Sequence, residues 1–265
     1  MSESIPSAGQ TFSLILERPQ DPPTNTTLRQ LPLLPYNTVA DYTIISGLQV
    51  GHEFDTEVWL AQPQGSQNSP IVLKFFITSL MDPLMLSNPN AGVDRTVNDI
   101  AMCQRAAFDA LWDLQGTAIP WFFGLHEVSV SDEIASLLVM EYIPHSFDTI
   151  PQYFQPCDED IDRYINWFKT TVKALDTAHS RQILHHDIRP SNLRHDTTQV
   201  VLIDWMNDIH HFKCFVPTDP CFPVIDFQEL LDAFASVKER IGKEFFLKVL
   251  NDAELGQRVR KIYGL

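Results

Sequence analysis

"ILHHDIRPSNLRHDTTQVVLIDW", residues 183–205, sets two aspartates and an asparagine between two apolar runs and a third aspartate after the second. The first run ends at Leu184, after which Asp187, Arg189 and Asn192 follow within one short loop, and the second, Val200 to Ile203, delivers Asp204. An aspartate after a strand is, taken alone, most often a turn former or a helix cap. The combination reads differently. An acid, a cation two residues on, an amide five residues on and then a hydrophobic strand ending in an acid is the order phosphoryl transfer requires: a base, a charge stabiliser and two metal ligands. Mg²⁺ takes hard oxygen ligands, which Asn192 and Asp204 can supply while phosphates supply the rest.

The rest of the chain bounds this reading. Its 265 residues suffice for one large domain or two lobes, and 44% hydrophobic with 20% charged residues is the composition of a chain that folds. With 19 basic against 34 acidic residues the formal net charge is −15, a field that repels nucleic acids and anionic membranes, so neither is expected as a partner. Cys103, Cys157, Cys214 and Cys221 form no C-x-x-C pair, which suits reduced thiols rather than a disulfide framework or a zinc site. The N-terminus lacks a basic segment followed by an apolar one, and apolar runs such as "ASLLVM" are too short to span a bilayer. A cytoplasmic protein is expected.

Residues 1–41, with "RPQDPPTNTT" near their middle, are rich in Pro, Ser, Thr and Asn and read as a tail. Strand-like runs follow at 42–50, 56–62 and 71–77. From Thr96 the period changes: Val97, Ile100, Ala101, Phe108, Leu111 and Trp112 recur at three- and four-residue steps, with Gly116 as a stop, and predict an amphipathic helix. "WFFGLHEVSV" and "ASLLVMEYI" around the turn "SDEI" predict a strand pair that completes a five-stranded sheet. The second half is mostly helical, with Ile161, Tyr164, Ile165, Phe168, Val172 and Leu175 on one face of a long helix. Asp226 with Glu229 three residues on predicts the cap of a later helix whose apolar face is Phe227, Leu230, Leu231 and Phe234. His185 and His186 beside Asp187 have no cysteine or second acid at ligand spacing, and His210 and His211 receive no role.

On these motifs the chain resembles the protein-kinase superfamily, and within it the short kinase-like proteins of fungi, over roughly residues 42–240. "HHDIRPSNL" stands where kinases carry the catalytic loop, and "IDW" stands for the metal-binding D-F-G. The resemblance implies Asp187 as base, Arg189 steadying the transferring phosphate, and Asn192 and Asp204 on magnesium. It also implies that "IVLK" ends in the lysine, Lys74, that holds the α- and β-phosphates, and that "VMEYI", residues 139–143, is the hinge beside adenine, with Glu141 and Ile143 in it. Lys74 interrupts a run that is otherwise apolar on both faces, which favours an anionic partner indoors.

The departures from the family pattern are as specific as the matches. Aligned on Val58, the glycine-rich phosphate loop reads G-H-E-F-D-T-E-V: Gly51 is kept, Glu53 and Thr56 replace the other two glycines, and carboxylates at Glu53 and Asp55 oppose a triphosphate. Val72 narrows the adenine slot. Where kinases pair the strand lysine with a helix glutamate, the buried stripe carries Gln104, with Asp99 as an alternative partner. His186 replaces the arginine that grips a phosphorylated activation loop, and the interval from Asp204 to Asp226 has no A-P-E.

The sequence therefore predicts an α+β, two-lobed protein-kinase-like fold. A five-stranded antiparallel sheet plus one helix, residues 42–140, stands over a mainly helical lobe, residues 141–265. ATP and Mg²⁺ are expected as cofactors, with Lys74, Gly51, Val58, Val72, Glu141 and Ile143 around the nucleotide. The expected acceptor is a hydroxyl of a protein or a small molecule. A pseudokinase that holds a nucleotide or partner without turnover, and a small-molecule kinase of the aminoglycoside or choline type, stand as alternatives.

Overall fold

The computed structural model describes residues 6–21, 28–51, 54–65, 69–82, 86–88, 93–147, 149, 158–205, 222–236 and 239–265. They divide into two units, the first within Met1–Gly116 and Pro120–Tyr142, the second within Thr117–Ile119, Ile143–Asn207 and Phe215–Leu265. Cys157, Cys214, Cys221, His210, His211 and Glu53 lie outside the described residues, and Cys103 is a free thiol.

The first unit holds β1 (Thr11–Ile15), β2 (Val39–Gln49), β3 (Glu57–Pro63), β4 (Ile71–Phe76), the two-residue pair β5 (Ser87–Asn88) and β6 (Val93–Asp94), helix α1 (Val97–Ala110), β7 (Phe122–Val130) and β8 (Glu133–Glu141). The main sheet is antiparallel throughout, in the order β1-β2-β3-β4-β8-β7. It has six strands rather than five. The additional strand comes from the segment read as a tail: "TFSLI" is too short to stand out beside its Pro- and Ser-rich neighbours, yet it alternates exposed and buried, with Phe12 and Leu14 inward.

β4 is buried at every position, so its alternation is hidden in the sequence and visible only in its partners. Ile71, Leu73 and Phe75 join Trp59, Phe123, Leu137 and Val139 in one apolar cluster. Val58, Lys74 and Leu138 form a cross-strand row on the opposite face. That face is the one α1 covers: Asn98 of α1 meets Ser136 of β8 at 3.1 Å, and Phe108 stacks on Phe122 with ring centroids 4.9 Å apart. α1 begins at a capping box in which Thr96 and Asp99 bond each other's backbone N–H groups. It gives way to a short 3-10 turn, Trp112–Leu114, before the expected stop. Gly116 has φ +72°, and a Cβ there would lie 2.2 Å from the Trp121 ring.

The N-terminal segment covers the other face. Leu16 joins the cluster, Leu31, Leu34 and Tyr36 pack against it, and Glu17 N donates to Phe123 O at 2.8 Å. The chain that pairs with β2 at one end of the sheet thus also reaches β7 at the other, curling the sheet round its apolar side.

The second unit contains β9 (His145–Ser146), α2 (Asp158–Ser180), β10 (Leu193–His195), β11 (Val200–Leu202), α3 (Phe222–Ala235), α4 (Glu239–Asn251) and α5 (Leu255–Tyr263), with the small strands in the order β11-β10-β9. Tyr164 and Phe168 of α2 meet Phe234 and Phe245 with centroids 5.0–5.8 Å apart, an aromatic core that fixes α2, α3 and α4 together. Each such ring contributes about 2–3 kcal/mol by burial. No described helix is long and apolar enough to cross a membrane.

Candidate functional site

The stretch from His185 to Trp205 runs from the end of α2 through a 3-10 turn (Pro190–Asn192) and the β10–β11 hairpin. Its backbone is held from α3. Asp226, 1% exposed, accepts from His185 N at 2.9 Å and from His186 N at 3.0 Å, one amide on each carboxylate oxygen. His179, in the last turn of α2, donates Nε2–H to the same carboxylate at 2.9 Å. Burial alone would raise the Asp226 pKa, but the bonds from His179 and the two amides outweigh it and hold the carboxyl below its ordinary value, so it is charged at neutral pH. One turn further along α3, Glu229 accepts from Ile188 N at 3.1 Å. Partial burial raises its pKa against that bond, with the charges of Asp226, Asp187 and Asp232 adding to the rise.

These two acids do not cap their helix. α3 begins at Phe222, which puts Asp226 in its second turn and aims both side chains at the loop some 40 residues earlier in the chain. The clamp also explains the backbone between them. His186 sits at φ +62°, a left-handed conformation that costs a non-glycine residue about 1–2 kcal/mol, and the bound amides on and before it offset that cost.

His185 is fully enclosed. Its Nε2 donates to Ile203 O at 2.9 Å, and its ring meets Trp205 edge-on at 4.8 Å. Burial pushes its pKa down despite the nearby Asp226 and Asp204, which fixes the neutral ring with its proton on Nε2. Ile203 N in turn donates to Asn192 O at 3.0 Å. The loop and the strand end that presents Asp204 are therefore joined twice, and Asp204 itself lies at φ +65°.

Within this frame Asn192 is buried, and its Nδ2 donates to Asp187 O at 2.9 Å and to Asp187 Oδ2 at 2.7 Å. Arg189 Nη2 stands 3.1 Å from the same Oδ2, an exposed ion pair. Two donors orient the Asp187 carboxylate. Asn192 and Asp204 offer two hard oxygen donors, a set that fits Mg²⁺ completed by phosphate oxygens. Among the described residues no three His, Cys, Asp or Glu side chains gather as metal ligands. Asp187, Arg189, Asn192 and Asp204 thus share one hydrogen-bonded loop, and the sequence reading missed what holds it: His179, Asp226 and Glu229.

The remaining candidates lie on the first unit, Ile143 excepted. Lys74 is buried to 6% exposure beneath α1, with Nζ 5.4 Å from the Phe76 ring centroid. Gln104 is on the buried stripe of α1, at 2% exposure. The Asp99 carboxylate accepts from Thr96 N at 2.7 Å and Thr96 Oγ1 at 2.8 Å as part of the helix cap. Gly51 takes φ +129°, a conformation that needs glycine; Phe54 N donates to Gly51 O and Gln49 Nε2 to Thr56 O. Asp55 caps Asp82 N at 3.1 Å. Val72 and Ile143 are buried.

Glu141 carries an interaction the sequence did not announce. Arg29 grips its carboxylate with Nε and Nη2 at 3.0 and 2.7 Å, and Trp121 N donates to it at 3.0 Å. Its side chain is therefore committed within the first unit, and its backbone N–H donates to Trp121 O at 2.8 Å. No local signal marks a partner 112 residues away.

No protein-family model matches the chain. Solved structures similar to it are kinase domains: that of PknI from Mycobacterium tuberculosis, in a single-mutant and a double-mutant form, each at 18% identity and TM-score 0.45 over 73% of this chain. The match covers 73% of the first of those chains and 72% of the second. A stretch of 37 residues, 14% of this chain, is 46% identical to mitogen-activated protein kinase kinase kinase 8 of Rattus norvegicus, and spans 8% of that relative's length.

Proposed function

We propose that this protein is an ATP-dependent phosphotransferase of the protein-kinase-like type that moves the γ-phosphoryl group to a hydroxyl of a protein or small molecule. The observation that carries the reading is the Asp187 carboxylate held by the Asn192 amide on a loop whose backbone is clamped by Asp226. Asp187 accepts the proton of the attacking hydroxyl, and Asn192 and Arg189 set its direction. Arg189, exposed beside it, neutralises charge that builds on the transferring phosphoryl oxygens. Asn192 and Asp204 hold Mg²⁺, which when bound shields the charge of the phosphates. Lys74 takes the α- and β-phosphates, and Gly51, Val58, Val72, Glu141 and Ile143 surround the nucleotide. ATP raises the melting temperature only with Mg²⁺ present, because bare triphosphate faces unshielded acids. Equal stabilisation without the metal, or none at millimolar nucleotide, removes this reading.

A second reading rests on Gln104. A neutral amide buried where a kinase has an acid, together with a phosphate loop that keeps one glycine of three, favours a nucleotide- or partner-binding pseudokinase. Mg·ATP binding without γ-phosphate loss in a single-turnover assay selects it.

A further inference from the structure

Residues 29–35 read Arg-Gln-Leu-Pro-Leu-Leu-Pro. Two apolar-proline pairs, Leu31-Pro32 and Leu34-Pro35, recur three residues apart, with a cation three residues before the first proline. Proline fixes its own φ and pushes the residue before it to extended backbone, and residues 28–35 accordingly carry no helix or strand, ending in a tight turn that Tyr36 N closes on Leu34 O at 2.9 Å. In a polyproline II conformation, three residues per turn bring Arg29, Pro32 and Pro35 to one ridge and Leu31 and Leu34 to another. Such peptides are bound in aromatic-lined grooves, as SH3 domains bind them, and a flanking acid would take the arginine.

The protein already binds this segment with the same chemistry. Glu141 takes the guanidinium in a bidentate ion pair whose side chains are 8% and 9% exposed. Trp121 Nε1 donates to Arg29 O at 3.3 Å, as a groove tryptophan does to a ligand carbonyl, and Arg29 N donates to Gly116 O at 2.7 Å. Leu31 and Leu34 rest on the apolar cluster of the sheet. Leu33, between the two apolar-proline pairs, points outward and is 72% exposed.

We propose that residues 29–35 are a docking segment for a separate SH3-type domain, latched by Glu141 and Trp121 so that internal and external binding exclude one another. The same arginine and leucines serve both grooves, so a partner must first open the latch. Apparent affinity is then the intrinsic affinity reduced by the fraction of chains that are open.

The test measures binding of a purified SH3 domain that selects Arg-x-x-Pro-x-x-Pro peptides to the full chain. Glu141→Gln removes the charge that opposes Arg29 and tightens binding about tenfold or more. Adding Pro32→Ala and Pro35→Ala returns it to background. Trp121→Phe, which deletes one N–H and keeps an aromatic ring, gives a smaller gain and carries the test where Glu141→Gln fails to fold. The rate of trypsin cleavage after Arg29 reports opening independently. Opening without SH3 binding overturns the proposal, as does a gain that survives both proline replacements. A segment that neither variant opens overturns Glu141 and Trp121 as its latch.

Discussion

The loop from His185 to Trp205 and the β-sheet face that carries Lys74 are both rich in family-like residues, and they are built in opposite ways. In the loop the polar side chains that set geometry bond across elements: Asp226 holds two amides and His179, Glu229 a third amide, His185 Ile203 O and Asn192 Asp187, while His179 Nδ1 and His185 Nδ1 are buried without a hydrogen bond among the described residues. On the sheet face Lys74 is buried beneath one helix and Gln104 is buried on it, while Asp99 helps to cap that helix. Buried polar groups that bond one another rigidify the backbone they hold. The loop is thus a frame held from elements distant in sequence, while the departures Thr56, Val72 and Gln104 fall in the first unit and His186 falls within the loop itself.

The most damaging way to break the contrast is Asp226→Ala. It strands the buried amide of His185, the partly buried amide of His186 and the His179 imidazole, so it should cost about 3–5 kcal/mol in urea unfolding and abolish phosphoryl transfer. A loss under about 1 kcal/mol would show that the clamp is incidental to the loop.

Asp187→Asn probes the same loop without dismantling it. The side chain keeps its shape but loses the proton acceptor, so turnover falls by roughly 10²-fold or more while Mg·ATP affinity changes little. Full activity in a purified sample would reduce Asp187 to a turn residue.

Acid should loosen this loop. His195, on β10, has its pKa lowered to about 4 by burial first and by neighbouring His145 second. Its Nε2 donates to Thr149 Oγ1 at 3.1 Å, and its Nδ1 accepts from Thr197 N at 3.3 Å, an arrangement for the neutral ring. With the folded value below the unfolded one of 6.5, stability is full above pH 6.5 and is lost as pH falls toward 4. His185, lowered in the same direction by burial, adds to the slope. Between pH 7 and 5 a stability loss of about 2 kcal/mol is expected from His195. His195→Asn should flatten the slope of stability against pH, and an unchanged slope would move the titration elsewhere.

The smallest effect would sharpen the contrast by erasing it. Gln104→Glu supplies an acid at nearly constant volume on the buried stripe under which Lys74 lies, and Mg·ATP binding should tighten by a factor of a few, up to about tenfold. Lower melting temperature with unchanged or weaker ATP binding would show that Gln104 and Lys74 do not meet.

Much of this frame was legible in the sequence because it is local. The change from period two to period 3.6 at Thr96 gave the order sheet, helix, sheet, and α1 starts where the capping residues stand. The four polar residues of the loop lie within 18 positions of one another, so their spacing alone brought them to one place. Strand β1 escaped because five alternating residues inside a proline-rich stretch carry little weight against their surroundings, though Phe12 and Leu14 end in the core. Asp226 and Glu229 were read as a helix cap because a carboxylate near a helix start satisfies local amides equally well in principle.

What the sequence determined by itself was therefore the identity and spacing of the groups and the type of each element, since both follow from neighbours a few residues apart. The tertiary structure decided which distant groups complete them. Asp226 binds amides 40 and 41 residues earlier, Arg29 binds Glu141 112 residues later, and β1 pairs across a gap that begins in the segment read as a tail. A buried charge or an orphaned amide must be satisfied, and that requirement is visible from one residue. Which residue satisfies it depends on the packing of whole elements, and no local pattern encodes that.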